Sequence, residues 1–252
     1  MKSIGIAAIF ALVWTAGLAA QTPDQILASV DARRNIDNLT FSLRITSYDG
    51  DKETDMNLLW GFLKDDPDKN RVLLFFADPA SVKGRKMLMD GNIVYLLFPR
   101  TKNPIRLSPL QVLLGQTSNG DIARTGFAKD YDVASLADAD LNGTSCSLFD
   151  LSVKEAKKDS SYKRIKLWVE KSTNRPLYAE FYAAGDKLLK KAFYKDYRPA
   201  LGKDFPFVLD IYDGEVATKH TVMEYLKIGT RVLPDTAFRR EYLESWTPVA
   251  PQ

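Results

Sequence analysis

The stretch "GRKMLMDGNIVYLLFP", residues 84–99, predicts two short strands joined by a turn at Asp90-Gly91. A strand with one face in the core and the other in water alternates apolar with polar residues. The second strand here is apolar on both faces: Ile93, Tyr95 and Leu97 lie on one, and Val94, Leu96 and Phe98 on the other. Something other than water must therefore cover the second face.

The two segments before this stretch repeat the pattern. Both "MNLLWGFL", residues 56–63, and "RVLLFFA", residues 71–77, carry large apolar side chains on both faces. Two explanations stay open. An N-terminal helix covers one face while the curl of the sheet covers the other, or a strongly curved sheet keeps a concave apolar cavity.

One amphipathic helix is predicted from Thr22 to Arg34, because Thr22 is a good N-cap and Pro23 suits the first helical position. From residue 39 onward the apolar period is two, which is typical of strands. The predicted strands cover residues 39–46, 52–64, 70–77, 85–90, 92–98, 104–107, 144–154, 162–171, 176–184, 187–198, 205–213 and 216–228. Turn dipeptides such as Asn142-Gly143 join them, so we predict a mainly β fold with one antiparallel meander.

Residues 107–127 interrupt the strands. Ser108 is a candidate N-cap, Pro109 follows it, and an apolar run ends at Gly115. This pattern predicts a short apolar helix ending at Leu114 and a second short helix beginning at Asn119. The first of these helices would serve as a plug or lid for the sheet.

The first twenty residues have the features of a cleavable signal peptide. Lys2 precedes an uncharged apolar stretch, residues 4–18, which ends at the small residues Ala19 and Ala20. A membrane anchor is the alternative, but the stretch is short for a bilayer span. Since no cysteine lies near the exit, no N-terminal lipid anchor is expected. We predict a signal peptide over residues 1–20 and a single domain over 21–252, released into the periplasm as a monomer.

Composition excludes several classes of protein. The chain has 35 Lys+Arg against 32 Asp+Glu, so a nucleic-acid partner is not expected. Its one cysteine, Cys146, lies in strand-like sequence and is predicted to be a buried, inert thiol. The fold must therefore depend on its core and not on disulfides.

The sequence gives no support for catalysis, a cofactor or a metal. His220 is the only histidine, and we expect it to face solvent on a strand. The segment "DADLNG", residues 138–143, matches the first half of a calcium loop, but Phe149 stands where the bidentate Glu belongs. A hairpin turn at Asn142-Gly143 explains it better. We predict no catalytic residue, no metal site and no cofactor.

A cavity on a curved sheet would be lined by large apolar residues of the central strands and the insertion. Met87 and Met89 suit such a wall, because methionine adapts to ligands of variable shape. The predicted cavity and lid residues are Leu43, Leu58, Trp60, Leu74, Phe76, Met87, Met89, Tyr95, Leu97, Leu110, Leu113, Leu114, Leu167 and Phe181.

The layout resembles the LolA/LolB-like superfamily, and within it the outer-membrane lipoprotein-sorting proteins. Three stretches carry the likeness: "ADPASVKGRKMLMDGNIVYLLFPRTKNPIRLS" (77–108), "YKRIKLWVEKSTNRPLYAEFYAAGDKLLKKAFYKDY" (162–197) and "VLPDTAFRREYLE" (232–244). The resemblance implies a half-open β-barrel with an apolar concave face, closed by helices. It also implies that this face holds the acyl chains of a lipoprotein or another lipid.

The function expected on these grounds is that of a periplasmic carrier that passes lipids or lipoproteins towards the outer membrane. Its partners would be acyl chains, and a membrane exporter or an outer-membrane acceptor protein. The alternative is a non-catalytic periplasmic adaptor or sensor module of a membrane lipid exporter on the same scaffold. A lipid-acting hydrolase is a third, weaker hypothesis.

Overall fold

The computed structural model describes residues 21–65, 70–91, 93–107, 112–118, 126–158, 160 and 162–251. The predicted signal peptide lies outside these residues. Among the helices of the described residues, none has the length and apolar character that a bilayer span requires.

The chain begins with the predicted helix, α1, which spans Pro23–Arg34. Thr22 is its N-cap, and Gln25 completes a capping box: the Thr22 N–H donates to Gln25 Oε1 at 2.9 Å, and the Gln25 N–H donates to Thr22 Oγ1 at 3.3 Å. The buried side of α1 carries Leu27 and Val30. The start signals in the sequence thus predicted this element correctly.

Fifteen strands are found in the described residues. They are β1 (Leu39–Asp49), β2 (Lys52–Asp65), β3 (Asn70–Asp78), β4 (Lys86–Asp90), β5 (Ile93–Leu97), β6 (Ile105–Leu107), β7 (Val112–Leu114), β8 (Thr117–Ser118), β9 (Tyr131–Leu141), β10 (Thr144–Val153), β11 (Arg164–Glu170), β12 (Pro176–Tyr182), β13 (Leu188–Ala200), β14 (Lys203–Asp213) and β15 (Lys219–Thr230). A second short helix, α2, spans Phe127–Asp130.

Thirteen of these strands form one antiparallel sheet in the order β6-β5-β4-β3-β2-β1-β15-β14-β13-β12-β11-β10-β9. Neighbours in the sheet are neighbours in the chain, except where β1 pairs with β15. The predicted antiparallel meander is confirmed. Pairing of the first strand with the last puts both chain halves in one sheet and leaves β6 and β9 as its edges.

Strand β9 was not predicted. Its sequence, "YDVASLADADL", is rich in Ala and Asp, which have low strand propensity, and it lies at an edge where most of its residues are exposed. A β-bulge opposite Asp150 and Leu151 also breaks its period of two, so that Val133 and Leu136 face the same side. Because of this spacing of three, the sequence lacks the alternation of apolar and polar residues by which a strand is recognised.

The predicted helix ending at Leu114 was wrong for residues 112–114. They form β7, which pairs with β8 across a turn at Gly115. A short apolar run fits a helix or a strand equally well, and Gly115, with φ +54°, fits a tight turn as readily as a helix end. The helix predicted from Asn119 begins outside the described residues.

The sheet has two apolar faces, as the opening stretch predicts. On the core face, a main apolar cluster runs from Leu39 and Phe41 on β1 to Phe149 and Leu151 on β10, with Leu27 of α1 packed into it. On the outer face of β2–β5, a second apolar cluster combines four strand residues with two from the end of the chain: Phe62, Leu73, Leu88 and Leu97, with Phe238 and Leu243.

The C-terminal segment, residues 231–251, therefore covers the outer face of β2–β5. Polar contacts hold it in place: Asp235 forms ion pairs with Lys64 and Arg71, and the Arg71 guanidinium lies 5.2 Å from the ring centre of Phe238. Lys86 Nζ donates to the backbone carbonyl of Glu244 at 2.7 Å. Neither explanation offered by the sequence had assigned this cover to the end of the chain.

Candidate functional site

Half of the predicted cavity residues are buried together on the core face. Seven belong to the main apolar cluster: Leu43, Leu74, Phe76, Met87, Met89, Leu167 and Phe181. They come from strands on both sides of β15, so the fold brings together residues that are far apart in the sequence. Leu114 of β7 is partly buried and packs against the same cluster.

Four predicted cavity residues lie on the opposite face. Leu97 belongs to the second apolar cluster, and Tyr95 packs against it beneath the Arg240 guanidinium. Leu58 and Trp60 share the outer face with Phe62, because they alternate with the core residues Leu59 and Leu63.

The fourteen residues therefore do not form a single site. The sequence showed that the sheet has two apolar faces, but it did not show which part of the chain packs on each face. Of the remaining lid residues, Leu110 lies outside the described residues, and Leu113 is part of β7.

The core face is tightly packed at its centre. Leu43, Leu74 and Leu167 each have an exposed fraction of 0%. Water has no access to these side chains, which is typical of a close-packed interior. In this conformation they pack against the chain's own residues.

Partly exposed apolar residues packed against the main cluster lie on middle strands, such as Phe207 and Leu209 of β14, and at the two edges of the sheet. Leu96 and Leu107 lie at the β6 edge, where Leu107 pairs with the buried Val94. Val133 and Leu136 lie at the β9 edge, where Leu136 pairs with the buried Phe149 and is 43% exposed. We call these four the edge residues. Sequence reasoning missed Val133 and Leu136 because it missed β9.

A buried carboxylate ties α1 to α2, just before the β9 edge. Asp31 accepts hydrogen bonds from the backbone N–H groups of Phe127 at 2.9 Å and Ala128 at 2.8 Å. Arg34 lies 3.8 Å from Asp31, and its guanidinium lies over the Phe127 ring. Burial raises the pKa of the Asp31 carboxyl above its ordinary value, against the opposing effects of Arg34 and of the two N–H groups.

His220 does not face solvent, contrary to the prediction. Its ring stacks between Tyr48 and Tyr212, with ring centres 4.8 Å and 4.7 Å away, and its Nδ1 lies 2.9 Å from Asp210 Oδ1. Asp210 also pairs with Lys195 at 2.7 Å. Both faces of the imidazole and one of its nitrogens are thus engaged in packing on the outer face, which is a structural role.

Other candidate sites from the sequence have structural explanations. Cys146 is buried, and burial raises the pKa of its thiol, which disfavours the reactive thiolate. Asn142 and Gly143 form the turn between β9 and β10, where the Gly143 N–H donates to Asp140 Oδ1 at 2.8 Å. No group of three or more His, Cys, Asp or Glu side chains in the described parts of the chain is placed to hold a metal ion.

Comparison with known proteins identifies the family. The chain is 30% identical to a LolA superfamily protein of known crystal structure from Nitrosomonas europaea, with a TM-score of 0.78, over 89% of this chain and 100% of the other. This chain belongs to the LolA superfamily. A family model described as an uncharacterized protein also matches residues 68–245.

Two more distant structures share the LolA fold. A putative outer membrane lipoprotein-sorting protein domain from Vibrio parahaemolyticus has a TM-score of 0.74 at 19% identity, over 88% of this chain and 97% of its own. A DUF1329 family protein from Desulfovibrio piger has a TM-score of 0.74 at 21% identity, over 87% and 97%. No curated protein sequence matches the chain significantly. The resemblance found in the sequence is confirmed.

Proposed function

We propose that this LolA-superfamily chain is a non-catalytic periplasmic carrier. It binds acyl chains of lipoproteins or other lipids on the core face of its sheet and passes them towards the outer membrane. Residues 1–20 direct export and are removed, and residues 21–252 act as one domain without a cofactor. The observation that carries the proposal is the single apolar cluster that joins distant strands of the sheet.

The membership of this cluster supports a half-open barrel. Val94 on β5 and Phe149 on β10 both belong to it, although ten strand spacings separate β5 from β10 in the sheet. In a flat sheet that separation would be about 48 Å. The helix α1 also contacts both β14 and the edge strand β9. A sheet that curls around α1 accounts for both observations.

The ligand would enter at the edge residues. In a curled sheet the β6 and β9 edges approach each other. Leu107 and Leu136 would then lie on either side of the opening between these edges, which we call the mouth. The packed interior then opens as the chain enters, with β7 and β8 as the elements that move aside. Burial gains about 0.8 kcal/mol per CH₂ group, so a long acyl chain supplies on the order of 10 kcal/mol to drive this rearrangement.

A substitution at the mouth tests the carrier proposal. We expect Leu136→Glu to weaken binding of a fluorescent fatty acid by at least about tenfold, because a charge on the entry path must be desolvated or displaced. Val232→Glu is the matched control, since Val232 is 80% exposed in the C-terminal segment and should bind normally.

Native mass spectrometry of protein purified from cells provides a second readout. The proposal expects bound lipid in the wild type and less in Leu136→Glu. A wild-type protein that is always free of lipid, and that takes up no fluorescent fatty acid, would exclude a carrier.

The packed centre of the core face favours one alternative. A scaffold whose interior is filled by its own side chains suits a non-catalytic adaptor or sensor module of a membrane lipid exporter. This function requires a protein partner and no lipid. Crosslinking in the periplasm that captures a membrane exporter, together with unchanged capture by Leu136→Glu, would favour the adaptor.

A further inference from the structure

One end of the core face carries several buried hydroxyl and amide side chains. Ser47 of β1 and Thr221 of β15 are register partners, and their hydroxyl oxygens lie 3.5 Å apart. The turn between β7 and β8 docks on them: the Gln116 N–H donates to Thr221 Oγ1 at 2.8 Å. At Gly115 a Cβ atom would lie 2.2 Å from Ser47 Oγ, so the turn approaches too closely for any side chain there.

Two buried polar atoms at this end have no hydrogen-bond partner among the described residues. Asn57 is 2% exposed, and its Nδ2 donates to Asp55 Oδ2 at 2.6 Å, whereas its Oδ1 is unpartnered. Thr117, which follows Gln116, is 0% exposed, and its hydroxyl is unpartnered. Buried polar groups in native proteins nearly always have partners, so these two point to a missing one.

The register places both groups at the same end of the apolar layer. Ser47 pairs with Asp55 on β2, and Asn57 follows Asp55 on the same face, opposite the core residue Ile45. Thr117 directly follows Gln116, whose N–H donates to Thr221, the register partner of Ser47. These residues would therefore surround the head of a molecule whose chain lies along the main apolar cluster.

We propose that this polar end binds a hydrogen-bond-donating head of an acylated ligand, such as a hydroxyl or an amide N–H, and disfavours an anionic head. The inference rests on the proposed carrier function and adds the class of ligand. The Asp55 carboxylate orients the Asn57 amide with its nitrogen towards Asp55, which leaves an acceptor, Oδ1, to be satisfied. An ionised carboxylate or phosphate accepts but cannot donate, so it cannot fill that place, and Asp55 would repel it.

The test compares heads on the same sixteen-carbon chain by displacement of a bound fluorescent fatty acid. The ligands are palmitoylglycerol, palmitate above its pKa, and hexadecylamine. We expect palmitoylglycerol and hexadecylamine, whose heads both donate, to bind the wild type at least about fivefold more tightly than palmitate, as one satisfied buried acceptor implies. The preference should fall to within about twofold in Asn57→Leu and in Thr117→Val.

Thr46→Val is the matched control, because Thr46 of β1 is also buried but faces the opposite side of the sheet from Ser47. It should keep the wild-type preference. Equal affinity of the wild type for all three ligands would overturn the inference and leave the carrier function standing. The inference would also be overturned if Asn57→Leu and Thr117→Val changed the melting temperature but not the ligand preference. That result is expected if a buried water alone fills the site. Binding of none of the ligands would overturn the carrier function itself.

Discussion

At the scale of single residues, two side-chain environments control how the core face is closed. Asp31 joins α1 to α2 through two backbone N–H groups, and Gly115 lets the β7–β8 turn approach β1 and β15. Sequence analysis gave Asp31 no role and treated Gly115 only as the end of a short helix. Their roles depend on partners about a hundred residues away, which local patterns do not reveal.

Replacement of Asp31 by Asn should destabilise the protein by about 1–3 kcal/mol, because the amide offers one oxygen to two backbone N–H groups and one N–H loses its acceptor. The carboxyl pKa is higher in the folded protein than in the unfolded chain. The folded protein thus holds this proton more tightly, and ionisation costs stability as the pH rises through the raised pKa. The difference in free energy of unfolding between the wild type and Asp31→Asn should therefore become smaller from pH 4 towards pH 7. Urea unfolding measures it, and a difference that grows towards neutral pH would contradict the raised pKa.

Gly115→Ala should destabilise the protein more than Gly143→Ala. Both glycines have positive φ, but a Cβ at Gly115 would meet Ser47 and Thr221, while a Cβ at Gly143 meets nothing within 4 Å. Strain at φ costs about 1 kcal/mol or more in both variants, and overpacking adds about 1–3 kcal/mol only at Gly115. Equal losses in urea unfolding would show that the turn does not dock on the sheet.

At the scale of elements, the C-terminal segment is the part of the fold that sequence reasoning least anticipated. Large apolar residues on both faces of these strands predicted correctly that the outer face of β2–β5 needs a cover. It did not identify the cover, because the segment forms 3-10 turns without a regular apolar period. By contrast, the ends of α1 and of the long alternating strands were predicted to within three residues, since caps and period are local signals.

Phe238→Ala should destabilise the protein by about 3 kcal/mol, the usual cost of removing a buried phenylalanine. Phe238 is buried in the second apolar cluster, and the Arg71 guanidinium packs on its ring. Val232→Ala, in the same segment but exposed, should cost less than about 0.5 kcal/mol. Thermal unfolding compares the two variants. Equal, small losses would mean that the segment does not stabilise the sheet.

At the scale of the whole molecule, one sheet has two covers of different kinds. The outer cover belongs to the end of the chain and is held by ion pairs, whereas the core face is closed by α1, α2 and the β7–β8 turn. Strand order followed from the meander, but the pairing of β1 with β15 and the burial at the centre could not be read from local patterns. The proposed mouth could not be predicted either, since it depends on an edge strand with an irregular period.

Photocrosslinking in periplasmic extract tests the central claim most directly. The probe is palmitate with a diazirine near the end of its chain, and mass spectrometry identifies the labelled peptides. The carrier account predicts labelling of core-face residues at both sheet edges, including the peptides that contain Leu107 and Leu136, and weaker labelling in Leu136→Glu. Labelling confined to the C-terminal segment and the outer face, or no labelling, would contradict it.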